Sequence, residues 1–339
     1  MIDFRSDTVT RPTPAMLNYM YQAPVGDDVF GEDPSINALE AKTAGIFGME
    51  AGLFCPSGTM TNQLAIKTHT QAGDEVICEE LSHIYQYEGG GIAFNSGCSV
   101  KLIQGNRGRL TAEQVLAGIN PEDVHKPIST LVSVENTCNR GGGACYNFQV
   151  LEAIHQITKQ HHLGFHLDGA RIFNAIVFKK EDPKKYGTIF DTISICLSKG
   201  LGAPVGSVLL GSSAFIKKAR RWRKVFGGGM RQAGQLAAAG IYALDHHVLR
   251  LAEDHQLMQH LAQGLSGIPG LQVEAPQTNI LFVDLVGEAK ARGVELQAHL
   301  KQAGIDMTGL YRMRFVTHLD VDRAGIDRTI SAVRQFFNA

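Results

Sequence analysis

Between about residues 35 and 232, short apolar runs alternate with stretches in which apolar side chains recur at three- and four-residue steps. Residues 75–78, 100–103, 129–134, 163–167 and 192–197 read as strands and the stretches between them as helices. Such alternation predicts an α/β fold with a doubly wound, mostly parallel sheet. The run 205–210 follows the preceding strand too closely for a crossover helix, so it is expected to pair antiparallel or at an edge. Residues 1–25 carry Pro12, Pro14 and Pro24 and read as an extended arm with a short helical piece over 15–21. Apolar positions at Leu236, Ile241, Leu244, Val248, Leu251 and Leu261 predict one long amphipathic helical stretch over 234–265. Strands near 279–285 and 312–316, with helices near 290–302 and 322–336, then suggest a smaller α+β unit. The expected organisation is an N-terminal arm (1–25), a large domain (26–245) and a small C-terminal domain (246–339), without internal repeats.

Composition narrows the class. A chain of 339 residues can bury one large core with a smaller one attached. A formal net charge of −1 gives no general attraction to nucleic acid or to an anionic membrane. No run approaches the ~18 apolar residues of a membrane span, and Asp3, Arg5 and Asp7 stand where a secretion signal would be apolar. The six cysteines form no C-x-x-C pair, so buried thiols in the cytoplasm are expected. The basic run Lys217–Lys224 is read as a solvated or subunit-facing helix.

The candidate chemistry lies at strand ends. Lys199 follows the run 192–197 and enters a glycine-rich turn, Gly200-Leu201-Gly202. Thirty-one residues earlier, the run 163–167 ends in Asp168-Gly169-Ala170-Arg171. A strand–helix–strand crossover takes roughly 30 residues, so Asp168 and Lys199 can share the carboxyl edge of one parallel sheet, where open α/β sheets bind ligands. A lysine and an aspartate there suit pyridoxal 5′-phosphate (PLP), the lysine bonding the aldehyde and the carboxylate keeping the pyridine nitrogen protonated. Ser57, Gly58 and Thr59 leave an apolar stretch and open a helical pattern, a place that favours a phosphate. Gly200-x-Gly202 lacks the following helix and acidic residue of a dinucleotide site. His166-x-Asp168 has no companion at metal-ligand spacing, so no metal is expected.

These segments, in their order, resemble the threonine aldolases, PLP enzymes of the aspartate-aminotransferase fold. The resemblance spans essentially the whole chain: 3–10, 25–34, Ser82-His83-Ile84-Tyr85, 134–137, 166–175, 196–202, Gly227-Gly228-Gly229-Met230-Arg231-Gln232 and Arg314-Phe315-Val316-Thr317-His318. It implies that Lys199 is the lysine bonded to the cofactor and Asp168 the partner of the ring nitrogen. It places Gly58 and Thr59 on the phosphate, beside Ser57, and stacks His83 on the ring. Arg171 is expected to face cofactor and substrate, Arg314 to clamp the substrate carboxylate, and Ser6 to add a donor. Arg231 resembles an arginine that reaches the phosphate of a neighbouring subunit, implying active sites at a dimer interface and a homotetramer. The general base is left between His83, His125 and a water. The activity implied is cleavage of L-threonine or L-allo-threonine to glycine and acetaldehyde, with low selectivity between the two. The alternative is another PLP lyase acting on β-substituted amino acids, such as a phenylserine aldolase or a β-eliminating enzyme. Two departures from the family wording stand out: Phe30 where tyrosine is common, and Cys138 where histidine is common.

Overall fold

The computed structural model describes residues 1–338. Among the described residues twelve strands occur: β1 (Ile2–Asp3), β2 (Ala51–Cys55), β3 (Glu75–Glu79), β4 (Ser99–Ile103), β5 (Ser129–Glu135), β6 (Gly164–Gly169), β7 (Thr192–Cys196), β8 (Ser207–Gly211), β9 (Leu271–Val273), β10 (Ile280–Leu285), β11 (Ile305–Asp306) and β12 (Arg312–Val316). Seven form one sheet in the order β2-β8-β7-β6-β5-β3-β4. All pairs from β7 to β4 are parallel, while β8 runs antiparallel to both β7 and β2. β2 therefore points the same way as β7, and Cys55, Glu135, Gly169 and Cys196 end at one common edge. The reading of 205–210 as an antiparallel strand agrees with β8.

Local sequence explains the helices that carry the site. In α1 (Pro14–Tyr21), Thr13 caps the first turn and Pro14 opens it. In α2 (Pro34–Phe47), Asp33 accepts from the N–H groups of Ser35 and Ile36, and Gly48 closes the helix at φ 66°. In α3 (Gly58–His69), Ser57 caps the start by accepting from the Met60 N–H. Phe47, Phe54, Phe165 and Tyr186 are fully buried around the large sheet, each side chain contributing about 1.5–3 kcal/mol from burial.

β9, β10 and β12 form an antiparallel sheet over a second core that includes Leu261, Phe315 and Phe336. The chain start joins it: β1 pairs in parallel with β11, and Phe4 packs edge-on to Phe315 at 5.6 Å. The long stretch expected over 234–265 divides into two helices, Gly234–His246 and Leu251–Leu265. The first packs on α1 and α2 and the second on the C-terminal helix Arg323–Asn338, so the chain turns where it passes between the cores. His247 holds the turn by bonding the Leu201 carbonyl through Nδ1 at 2.7 Å.

The basic helix Ser213–Val225 is less solvated than its sequence suggests. Arg223 is buried, donates to the Phe54 carbonyl at 2.6 Å and pairs with Asp28 at 2.5 Å, while Arg220 pairs with Glu40 at 2.6 Å. All six cysteines are buried free thiols. No helix among the described residues is long and apolar enough to cross a membrane.

Candidate active site

Asp168 sits on β6 at the carboxyl edge and is buried. Its Oδ2 accepts from Asn62 Nδ2 at 3.0 Å and its Oδ1 from the Ala170 N–H at 3.1 Å. Lys199 stands three residues past the end of β7, in a turn closed by the Gly202 N–H on the Lys199 carbonyl at 2.8 Å. Its amine has no ion-pair partner among the described residues, yet it lies close enough for its charge to act on Asp7 and His83. The first turn of α3 lies at the same edge: a Cβ on Gly58 would come 3.9 Å from that of Cys196 and 3.5 Å from Ser207 Oγ. Ser207 Oγ is buried without a partner. The N–H groups of Gly58 and Thr59 have no acceptor among the described residues, as expected in a first helical turn.

His83 opens the short helix α4 (His83–Gln86). Its Nδ1–H donates to Glu88 Oε1 at 3.0 Å, because a carboxylate can only accept; Nε2 is left open. Burial pulls the His83 pKa down, but the Glu88 bond and the Asp168 charge outweigh burial and the opposing Lys199 charge, so the net direction is upward. Glu88 itself is held by Asn62 Nδ2 at 2.8 Å and Gln63 Nε2 at 2.7 Å. Glu135, at the end of β5, accepts from the His83 N–H and the Asn139 N–H, each at 2.8 Å. Burial, then the Asp168 charge beside it, pushes the Glu135 carboxyl up to about 7.

Two arginines face this group, both directed at Asn139 Oδ1, and differ in kind. Arg171 grips Asp7 in a bidentate pair, Nε at 2.7 Å and Nη2 at 2.6 Å, leaving Nη1 toward Asn139 Oδ1 at 3.5 Å. Burial raises the Asp7 carboxyl, but Arg171, Lys199 and Arg314 more than reverse this and hold it well below the usual range. Arg314, on β12, has no carboxylate partner: Nη1 donates to the Arg5 carbonyl at 2.9 Å and Nη2 to Asn139 Oδ1 at 2.7 Å. Its Nε is buried and unpartnered. Burial, with Arg171 nearby, lowers the Arg314 pKa to about 10.

Within one chain, then, Ser57, Gly58, Thr59, His83, Asp168, Arg171, Lys199 and Arg314 converge, with Ser6 lying between the residues that bond Arg314 and Arg171. Ser6 Oγ caps a short turn by accepting from the Thr8 N–H at 3.2 Å. Arg171 is held by the buried Asp7 through Nε and Nη2, a pairing absent from the sequence reading, with Nη1 left toward Asn139. His125 does not join the group. It lies in the loop before β5, at the amino edge, with its side chain 87% exposed and bonded to Asp123 at 2.9 Å. Its position before a strand, not after one, puts it at the amino edge within this chain. Arg231 is half-exposed and pairs with Asp27 at 3.1 Å. Phe30 is 74% exposed, whereas Cys138 is buried and its thiol donates to the Glu135 carbonyl at 3.0 Å.

The family model described as beta-eliminating lyase matches residues 3–288. This chain belongs to the beta-eliminating lyase family. Among relatives of this lyase, the low specificity L-threonine aldolase of Escherichia coli K12 is 43% identical over 337 residues, covering 99% of each chain. The low-specificity L-threonine aldolase 1 of Arabidopsis thaliana is 39% identical, over 98% of this chain and 96% of that one. The Leishmania major threonine aldolase has the same fold, with a TM-score of 0.86 at 22% identity, covering 99% of this lyase and all of that chain. The expected family resemblance and α/β architecture therefore hold.

Proposed function

We propose that this lyase is a PLP-dependent aldehyde-lyase that cleaves L-threonine and L-allo-threonine to glycine and acetaldehyde, with little selectivity between them. The two relatives named above carry that activity in their names. The single observation that carries the reading on this chain is Arg314: a largely buried guanidinium with an idle Nε and no carboxylate, beside an equally unpaired Lys199. Buried charge persists without a partner only at a cost, so the site is built for an acid that binds there.

The residues present fit the cofactor. Lys199 offers an unpaired amine, Asp168 an anion for the ring nitrogen and His83 a face for the ring. The open N–H groups of Gly58 and Thr59, with Ser57 and the unsatisfied Ser207 hydroxyl beside them, suit a phosphate. When bound, PLP supplies an aldehyde that bonds an amine and a protonated ring that draws electrons from a breaking Cα–Cβ bond.

Arg314 would hold the substrate carboxylate, with Nε completing the fork that Nη1 and Nη2 begin. Asn139 and the Arg5 carbonyl fix the guanidinium plane, and Asp7 keeps Arg171 rigid beneath it. His83 Nε2 is the candidate base for the β-hydroxyl proton, its other nitrogen locked by Glu88; a water is the remaining alternative.

The same reading extends to assembly. Arg231, half-exposed behind three glycines, would reach the phosphate of a neighbouring subunit, which sets active sites at a dimer interface of a homotetramer. Exposed Tyr21, Phe30 and Phe94 are apolar surface such contacts would cover. We place the enzyme in the cytoplasm, in glycine formation from threonine, and divide it into an arm (1–25), a PLP-binding domain (26–245) and a small domain (246–339).

The family description favours one second reading, β-elimination. Incubation with L-threonine separates the two: glycine and acetaldehyde in equal amounts support aldol cleavage. Ammonia with 2-oxobutyrate would assign elimination instead.

A further inference from the structure

The proposed reaction leaves unexplained a file of polar side chains that crosses the protein interior. α3 runs over the large sheet from its carboxyl edge toward its amino edge, and Asn62 and His69, seven residues apart, share one helix face. On the sheet, His166 and Asp168 are two residues apart on β6 and share one face. Thr192 on β7 stands in register with His166. The contacts are continuous: His69 Nε2 to Thr192 Oγ1 at 3.0 Å, Thr192 Oγ1 to His166 Nδ1 at 2.9 Å, His166 Nε2 to Asn62 Oδ1 at 3.1 Å, and Asn62 Nδ2 to Asp168 Oδ2 at 3.0 Å. Asn62, His166, Thr192 and Asp168 are all buried.

The direction of every bond follows from its carboxylate end. Asn62 Nδ2 donates to two carboxylates, Asp168 and Glu88, so Asn62 Oδ1 must accept. His166 Nε2 therefore carries the hydrogen. Burial drops the His166 pKa to about 4 and the His69 pKa to about 3, so both rings are neutral near pH 7. Neutral His166 has a bare Nδ1, which takes the Thr192 hydroxyl hydrogen, and Thr192 Oγ1 in turn accepts from His69 Nε2–H. Four donors thus point one way, and hydrogen bonds so aligned polarise one another. The far end fits tightly: at Gly164 a Cβ would lie 2.7 Å from His69 Nδ1, so glycine at the start of β6 makes room for the ring. His69 borders a cleft of about 720 Å³ that Asp191 and Phe215 also line.

We infer that His69, Thr192, His166 and Asn62 form one directed relay that anchors and polarises the Asp168 carboxylate, making them positioning residues for the group that bonds the cofactor ring. The inference rests on the reading of Asp168 as the ring-nitrogen partner. Two other carboxylates, Glu88 and Glu135, crowd the same edge; the relay ends on the amide that donates to Asp168 Oδ2, opposite the Ala170 N–H on Oδ1, and its second hydrogen goes to Glu88.

The test uses holoenzyme loaded with PLP carrying ¹⁵N in the ring and follows the ring-nitrogen resonance and PLP retention. Thr192→Val removes the middle link at nearly constant volume. It should move the resonance toward the unprotonated position and weaken PLP retention roughly fivefold to tenfold, the worth of one hydrogen bond between neutral groups. Thr192→Ser should restore both, and His69→Phe, one link farther out, should give a smaller move in the same direction. A resonance unmoved in Thr192→Val but moved in Asp168→Asn overturns the relay while sparing the site. A resonance unmoved even in Asp168→Asn overturns the placement of the ring itself. Should Thr192→Val fail to fold, His69→Phe decides, and a resonance identical to wild type there overturns the proposal.

Discussion

The two edges of the large sheet treat charge in opposite ways. At the carboxyl edge, Asp7, Glu88, Glu135, Asp168 and Arg171 are buried and each is bonded by at least two groups. At the amino edge, His125 and Asp123 meet in solvent, a contact worth little. Buried charges cross-bonded in this way are costly to assemble and rigid once assembled. Against that background the idle atoms stand out: among the described residues Lys199 Nζ, Arg314 Nε, His83 Nε2 and Ser207 Oγ lack partners beside carboxylates that are all bonded. The difference teaches that unpartnered donors beside bonded carboxylates, rather than charge alone, mark where ligand atoms go.

The sharpest way to break this contrast is Asp7→Asn, which strands Arg171 as a buried charge. Loss of one partner of a buried pair costs about 3–5 kcal/mol, and chemical denaturation should read that loss. The sign with pH follows from the depressed Asp7 carboxyl: its stabilisation is present above the unfolded value of about 3.9 and is lost as pH falls toward the lower folded value. Asp7→Asn should accordingly flatten the acid limb of the stability curve.

Next in size, Arg314→Ala should lower kcat/KM for every β-hydroxy amino acid about 30- to 1,000-fold, or roughly 2–4 kcal/mol, with bound PLP still visible. Equal kinetics in variant and wild type would remove Arg314 from the clamp. Glu88→Gln is subtler. His83 is held upward from 6.5 chiefly by Glu88 and Asp168 against burial, and a base must be neutral to work. The rate should therefore rise with pH through a midpoint above 6.5, and Glu88→Gln should shift that midpoint down; an unshifted profile would take the proton from His83 and assign it to water. The smallest effect belongs to the amino edge: His125→Ala should change folding stability by no more than about 0.5 kcal/mol.

What the sequence made legible follows from strand direction and spacing. Asp168 and Lys199 could be placed together because each follows a strand, and the crossover distance between them is characteristic. Ser57–Thr59 announced themselves by the capping pattern ahead of α3. Counting direction also places His125, which precedes its strand, at the amino edge of its own chain. Asp7, Asn62, Glu88, Glu135 and Asn139 went unassigned because their roles come from pairing across the chain: Asp7 meets Arg171 from 164 residues away, and no local pattern encodes that. Glu135 carried a signal, since it ends a strand in register with Asp168. The break after His246 was hidden because the apolar period continues across it, while the helices on either side serve different cores.

The central claim is that Lys199 is the unpaired amine that bonds the cofactor at the carboxyl edge. Borohydride reduction of the yellow holoenzyme, followed by peptide mass spectrometry, tests it directly. The account predicts loss of colour and a single pyridoxyl group on Lys199. A pyridoxyl group on any other lysine, or a purified protein that takes up no PLP, would contradict it.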